Sequence, residues 1–235
     1  MAASGGYSEP IYLASYPRSG NTFLRMVLLN CFGLKTGSIY PADLGRNQAL
    51  ERFVGHIEHD AFGDIAFPQG NLPLLKTHEL PRDDLPAIYI VRDGRAACAS
   101  LWKFQNQSLP LAQVIAGAHR FGTWSQHVAA WHPWERRDTL FIRYEDMVAD
   151  LPATIARLGR FLGRRPISMS VPSREEVALV DGRWVTPASE WEPYFTDDLK
   201  ALFEQHNGPM LRQLGYELPL PPPGFGGPPR SRPNT

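Results

Sequence analysis

The passage from residue 11 to residue 25 constrains the fold of this chain more than any other stretch. It begins with an apolar run at 11–15, breaks at Pro17, and resumes after Gly20 with apolar residues at helical spacing. This pattern predicts a strand, a tight loop and a helix. Such a junction directs backbone N–H groups and the positive end of a helix dipole at one point, so it is typical of an anion-binding site.

Polar side chains in the loop favour the same interpretation. Ser19, Asn21 and Thr22 would add hydrogen-bond donors. Arg18 adds a permanent charge and a planar fork of donors that suits phosphate or sulfate oxygens. The loop alone leaves a second interpretation open, in which it only shapes the backbone and Ser19 or Asn21 only caps the helix.

The charge balance of the chain bears on its partners. Its 235 residues carry 24 basic and 24 acidic side chains, so no overall field draws it to nucleic acid and the anion site must be local.

The length of the chain and its hydrophobic content of 43% predict one domain with a full core. Cys31 and Cys98 lie in apolar helical patterns and indicate buried hydrophobic residues rather than a disulfide or a metal site. We expect a cytoplasmic protein, because the N-terminus lacks a signal-peptide layout and no apolar run is long enough to span a bilayer.

Three further apolar runs predict strands of the same sheet. They lie at 72–77, 87–91 and 139–144, and helical patterns alternate with them. This alternation predicts an α/β fold, a single three-layer domain with a central parallel sheet flanked by helices and a P-loop-like strand-loop-helix. Because the C-terminal ends of parallel strands meet at one edge of a sheet, we expect His78 and Arg92 to lie near the first loop.

Two segments carry less information. The segment 34–70 has a weak pattern, and we assign no chemistry to it. The segment 109–134 predicts a helical hairpin rich in aromatic residues. Most of these are expected in the core, with one or two lining an apolar acceptor pocket.

The C-terminal part of the chain changes character. Residues 168–193 show little periodicity, while 197–206 and 210–214 predict two helices. The stretch 219–235 is too rich in proline and glycine to pack, so it predicts a disordered tail behind a domain of residues 1–218.

At several of these segments the sequence resembles the sulfotransferases that use 3'-phosphoadenosine 5'-phosphosulfate (PAPS). Residues 16–23 resemble the family's loop for the 5'-phosphosulfate, and 90–100 resemble its 3'-phosphate motif. Residues 76–81 are similar to the segment that carries the catalytic base in cytosolic members. Two more segments, 122–128 and 143–147, also resemble parts of the family. Because these segments occur in the same order as in the family, together they are a more specific signal than a match to the loop alone.

The resemblance implies an enzyme that moves a sulfuryl group in line from PAPS to a hydroxyl or amine of a small-molecule, carbohydrate or lipid-like acceptor, without a metal. It implies that Arg18 and Lys76 stabilise the transferred group and that His78, with an ordinary pKa near 6.5, takes the acceptor proton. The nucleotide contacts that it implies come from Arg18, Ser19, Gly20, Asn21, Thr22, Phe23, Arg92, Ser100 and Tyr144.

Some residues depart from the family pattern, and two rival functions stay open. Arg18 stands where cytosolic members commonly carry Lys, and Phe23 replaces a frequent Trp. The late Arg-Lys-Gly cluster is absent, with Arg183 as a candidate substitute. A P-loop kinase is disfavoured because the loop lacks the Gly-Lys-Ser/Thr ending. The other rival is a catalytically inactive nucleotide-binding or scaffold protein on the same fold. The presence of both Arg18 and His78 argues against it. The oligomeric state is not predicted.

Overall fold

One parallel sheet organises the structure, a computed structural model that describes residues 9–182 and 191–216. Within those ranges its strand order is β2-β3-β1-β4-β5. The strands are β1 (Ile11–Ser15), β2 (Gly37–Ser38), β3 (Leu74–Thr77), β4 (Ala87–Val91) and β5 (Thr139–Arg143). Strand β1 pairs in parallel with both β3 and β4, so the loop that leaves β1 lies at the centre of the C-terminal edge. Ligands of open parallel sheets gather at such a point.

Helices connect the strands. They are α1 (Asn21–Phe32), α2 (Gln48–Val54), α3 (Gly94–Phe104), α4 (Leu111–Ile115), α5 (Trp124–Trp131), α6 (Tyr144–Ala149), α7 (Leu151–Leu162), α8 (Arg174–Asp181) and α9 (Asp197–Gln213), with short 3-10 helices at Asp43–Arg46 and Glu192–Tyr194. Helix α1 ends at Phe32, directly before a glycine. Gly33 takes a left-handed conformation there, and its N–H bonds to the carbonyl oxygen of Leu29.

Alternation along the strands produces three layers. Leu13, Ile88 and Ile90 point to one face of the sheet, where α1 and α7 cover them. Ala14 and Tyr89 point to the other face, where α3, α5 and α9 pack. Because both faces are covered, the strands are apolar almost throughout. The predicted α/β fold is thereby confirmed.

Two helices differ from the sequence prediction. Residues 168–193 contain α8, whose start carries a reciprocal capping box between Ser173 and Glu176. The predicted break before 210 does not occur, since α9 runs through Pro209 as one helix. Proline removes one backbone donor, but the burial of Phe203 and Leu211 on the same helix outweighs that loss.

Three sequence predictions concern membrane spans, Arg183 and the C-terminal stretch. No helix in the described ranges is both long enough and apolar enough to cross a bilayer. Arg183 and the stretch 219–235 lie outside the described residues. The domain boundary after residue 218 and the tail therefore stay predictions.

A pair of leucine truncations tests the layer assignment. Leu28 on α1 is fully buried, whereas Leu179 on α8 is 88% exposed. We expect Leu28→Ala to lower the free energy of unfolding by about 2–5 kcal/mol, because it leaves a cavity in the core. The same change at the control position, Leu179→Ala, is expected to stay within about 0.5 kcal/mol. Urea denaturation followed by circular dichroism measures both, and equal losses would contradict the assignment.

Candidate active site

A cleft of about 730 Å³ opens at the C-terminal edge of the sheet, where β1, β3 and β4 end. Its wall includes most of the site residues predicted from the sequence, namely Arg18, Gly20, Asn21, Thr22, Phe23, Lys76, His78, Arg92 and Tyr144. Ser19 and Ser100 do not line it. The sheet thus brings together side chains from four separate stretches of the sequence.

The loop between β1 and α1 takes an unusual backbone path. Arg18 has a φ of 65° and Gly20 a φ of 102°, both in the left-handed region. Only glycine fits the second position, because a Cβ there would overlap the ring of Tyr144. The backbone of the loop consequently runs directly against that ring.

Arg92 and Ser100 both contact Arg18. The guanidinium of Arg92 donates to the carbonyl oxygen of Arg18 at 3.1 Å, and Nε of Arg18 donates to Oγ of Ser100 at 3.1 Å. Arg92 is 4% exposed and lies over the ring of Tyr144, while Arg18 lies over the ring of Phe104. The two segments that resemble separate phosphate motifs, 16–23 and 90–100, are therefore joined by hydrogen bonds.

Asn21 and Ser19 lie deeper in the same loop. Asn21 Nδ2 donates to the carbonyl oxygen of Leu13 at 2.8 Å, which fastens the start of α1 to the central strand. Ser19 Oγ is fully buried and has no hydrogen-bond partner among the described residues. Ser19 is therefore packed beneath the loop and does not face the cleft.

Lys76 belongs to a buried group of charges. Its ammonium lies 2.5 Å from one oxygen of Asp43, and Arg25 lies 2.6 Å from the other. Burial alone would raise the pKa of the Asp43 carboxyl, but the adjacent Lys76 and Arg25 charges hold that pKa well below its usual range. Burial also lowers the pKa of Lys76. With two cations on one carboxylate, the group keeps a positive charge at the cleft wall.

His78 follows directly after β3. Its Nδ1 lies 2.7 Å from the carbonyl oxygen of Ser15, so Nδ1 carries the proton and donates, and Nε2 is left as an acceptor. The backbone N–H of His78 donates to the hydroxyl of Tyr40 at 2.9 Å. Burial and the neighbouring Lys76 charge hold the pKa of His78 well below its ordinary value. The imidazole is therefore neutral at neutral pH, the form that a general base needs.

Sequence reasoning missed several residues of the cleft wall. Tyr40 and Asp43 come from the segment to which we assigned no chemistry, and no local signal marks them. Arg120 lies on the connection before α5, where it pairs with Glu79. Phe121, next to it, belongs to the segment 109–134, from which one or two aromatic residues were predicted to line an acceptor pocket. Arg174 lies in the first turn of α8. The Ser-x-x-Glu capping signature at 173–176 was visible in the sequence and would have located this helix start.

Relatives of known identity match much of the chain. The family model described as a sulfotransferase domain matches residues 69–179. Human sulfotransferase 2B1 is 27% identical over 66% of this chain and 47% of its own length, and Arabidopsis thaliana cytosolic sulfotransferase 17 is 28% identical over 65% and 51%. The match to sulfotransferase 1E1 of Cavia porcellus, at 26% identity, covers 89% of this chain and 86% of that protein. The chain thus spans about half the length of two of these relatives.

Solved structures give the same fold. Mouse sulfotransferase SULT7A1, complexed with PAP, superposes with a TM-score of 0.58 at 20% identity, covering 88% of this chain and 86% of that one. Retinol dehydratase, in a complex with retinol and PAP, gives a TM-score of 0.60 at 19% identity, with coverages of 89% and 83%. The resemblance predicted from the sequence motifs is confirmed, and so is the fold that it implied.

The titration of His78 tests the electrostatics of the cleft. Because burial and Lys76 disfavour the imidazolium, we expect the His78 ring in the free protein to protonate only well below pH 6.5. Lys76→Met removes a repelling charge, so it should raise the His78 pKa, whereas the control Lys76→Arg keeps the charge and should leave it low. The ring proton signals in NMR spectra recorded against pH give each midpoint. A wild-type midpoint at or above 6.5 would contradict this picture.

Proposed function

We propose that this protein moves a sulfuryl group in line from PAPS to a hydroxyl or amine of a small-molecule acceptor, with His78 as general base; the match of residues 69–179 to the sulfotransferase domain model supports this. One observation carries the proposal. The cleft joins the Arg18 loop, Arg92 and His78 in a single space, so a donor held by the arginines would present its sulfuryl group beside a neutral imidazole.

The nucleotide half of the proposed site lies between the Arg18 loop and α8. The loop N–H groups at the start of α1, with Asn21 and Thr22, would hold the 5'-phosphate. Arg92 would hold the 3'-phosphate, with Ser100 acting through its bond to Arg18. Arg174 lines the same cleft. Burial lowers the pKa of Arg92, and the positive charge of Arg174 lowers it further. Both arginines line the cleft, so an anion bound there would meet two guanidinium groups.

Adjacent side chains fit the rest of the nucleotide. The ring of Tyr144 supports Arg92 from below, and Phe23 lines the cleft at the start of α1. Val148 and Val171 are further apolar residues that line the cleft. An adenine base would find a flat apolar surface there, as aromatic and aliphatic walls commonly provide.

Arg18 and Lys76 would stabilise the transferred charge. Bound PAPS supplies an activated sulfuryl group whose leaving phosphate gains negative charge as the bond breaks. Arg18 lies at the lip of the loop, and the Lys76 ammonium lies at the cleft wall with Asp43. Fixed positive groups of this kind lower the barrier because they are already oriented before the reaction.

His78 would take the proton from the acceptor. Its Nδ1–H is committed to the Ser15 carbonyl, so Nε2 holds the lone pair. As the acceptor oxygen bonds to sulfur, its proton passes to Nε2, and the bond between sulfur and the phosphate oxygen breaks to release 3',5'-bisphosphoadenosine (PAP). Positioning of the two reactants supplies the rest of the rate increase.

The acceptor wall combines aromatic and charged side chains. Tyr40 stacks on the His78 ring and Phe121 meets it edge-on, both with ring centres 5.9 Å away. One structural neighbour, retinol dehydratase, was solved with retinol, an apolar alcohol. These observations support an acceptor with an apolar or aromatic body. A cytosolic location is supported by the name of the Arabidopsis relative.

Nucleotide binding is the first test. We expect PAP to bind the wild-type protein in calorimetry, and Arg92→Ala and Arg174→Ala each to weaken binding about tenfold or more, because each removes a charged hydrogen-bond donor. Arg137→Ala is the control, since that side chain is 94% exposed and does not line the cleft. No binding of PAP to the wild type would reject the donor, and normal binding by Arg174→Ala would reject only the role of Arg174.

Turnover is the second test. Sulfuryl transfer from labelled PAPS is measured with a panel of phenols, sterols and sugars. We expect His78→Ala to lower kcat by about 10²–10⁴-fold, because the acceptor proton then has no positioned base, while the affinity for PAP stays within about twofold. His132→Ala, a change at a half-exposed histidine outside the cleft, serves as control. Full activity of His78→Ala would reject the base, and PAP binding without any transfer by the wild type would favour the inactive nucleotide-binding protein.

A further inference from the structure

Helix α5 holds the segment that carries His78. Nε2 of His127 lies 3.0 Å from the carbonyl oxygen of His78, and Nε1 of Trp131 lies 3.0 Å from the carbonyl oxygen of Glu79. The two side chains are one helical turn apart, so they project from the same face of α5. Two ring N–H groups therefore bind two consecutive carbonyl oxygens just beyond the end of β3.

A third group orients the His127 ring. The hydroxyl of Tyr89 on β4 lies 2.9 Å from Nδ1 of His127 and donates to it, which leaves the ring proton on Nε2 for the bond to His78. Both side chains are fully buried. Burial lowers the pKa of His127 to about 4, so the ring stays neutral near pH 7 and keeps this arrangement.

This hydrogen bonding matters because His78 lies outside the regular ladder of β3, which ends at Thr77. Tyr40 accepts from the backbone N–H of His78, and the Ser15 carbonyl accepts from its ring. The bond from His127 fixes the remaining backbone polar group of the same residue. A base held at its amide, its carbonyl and its ring has little freedom to shift relative to the sulfuryl group.

We propose that His127 and Trp131 are positioning residues that set the place from which His78 presents Nε2 to the acceptor. The inference rests on the proposed function of His78 as base. Neither residue lines the cleft. They act through the peptide groups of 78 and 79, and a displacement of about 1 Å at a reacting group is enough to cost about 10²-fold in rate.

Two replacements of His127, one without and one with an N–H donor, test the proposal. His127→Leu removes the donor, whereas His127→Gln keeps an amide N–H near the position of Nε2. We expect His127→Leu to lower kcat about 10²-fold with the best acceptor of the panel while the Kd for PAP stays within about twofold. His127→Gln should recover most of that loss. Trp131→Phe, which keeps an aromatic ring but removes its N–H, should lower kcat in the same direction.

Two further measurements separate positioning from general stability. Asn207→Ala removes a buried side chain that bonds to the N-terminal end of α5, so it should lower stability and leave kcat unchanged. The NMR signal of the His78 ring should move in His127→Leu and stay in place in Asn207→Ala. An unchanged kcat in His127→Leu, or equal losses in the Leu and Gln variants with an unmoved His78 signal, would overturn the proposal.

The remaining outcomes are also decisive. If His127→Leu does not fold, Trp131→Phe decides, since normal kcat in that variant would overturn the proposal and a loss with intact PAP binding would support it. Failure of the proposed function is distinguished by His78→Ala. Full activity of that variant shows that His78 is not the base, whatever His127 does.

Discussion

The left-handed turn between β1 and α1 is the constraint on which the cleft depends. Arg18 adopts a conformation that disfavours a side chain, at a cost on the order of 1–3 kcal/mol. The hydrogen bond from the Arg92 guanidinium to the Arg18 carbonyl contributes about 1.5–3 kcal/mol and offsets that strain. Gly20 then allows the loop to lie against Tyr144. Four residues from three parts of the chain thus determine one loop shape.

The charged side chains beside the cleft also depend on one shared contact. Asp43 is the shared partner of Lys76 and Arg25, and all three side chains are nearly inaccessible to solvent. Buried ion pairs contribute little net stability, because desolvation cancels most of the attraction. Their effect here is to fix the position of the Lys76 ammonium. The surplus positive charge gives the cleft a potential that favours an anionic ligand.

The sequence revealed the parts of the site that local signals encode. Strand ends, the Pro17–Gly20 break and the Gly33 stop are marked by residue type and spacing, so the sheet, α1 and the grouping of Arg18, His78 and Arg92 at one edge could be predicted. The roles assigned to these side chains are still predictions. Ser19 and Ser100 were predicted as nucleotide contacts, yet neither lines the cleft.

Other parts depend on packing over long sequence distances. Asp43 reaches the site because Arg25, 18 residues before it, and Lys76, 33 residues after it, bind its carboxylate, and no periodicity in 34–70 indicates either contact. Helix α9 continues through Pro209 because apolar burial along the helix overrides local propensity. The capping box of α8 was a readable signal, but the irregular composition around it concealed a helix of eight residues.

The register between the central strands fixes the relative positions of two parts of the cleft. Ala14 pairs with Thr77, so the Arg18 loop and His78 follow neighbouring positions of two paired strands and keep a fixed separation. Tyr40 and Phe121, which form the proposed acceptor wall, come instead from connecting segments outside the sheet. Substitutions or insertions in those connections would reshape the acceptor wall without moving the reacting groups. The proposed reacting groups and the proposed acceptor wall therefore rest on different parts of the fold, so a change in one need not alter the geometry of the other.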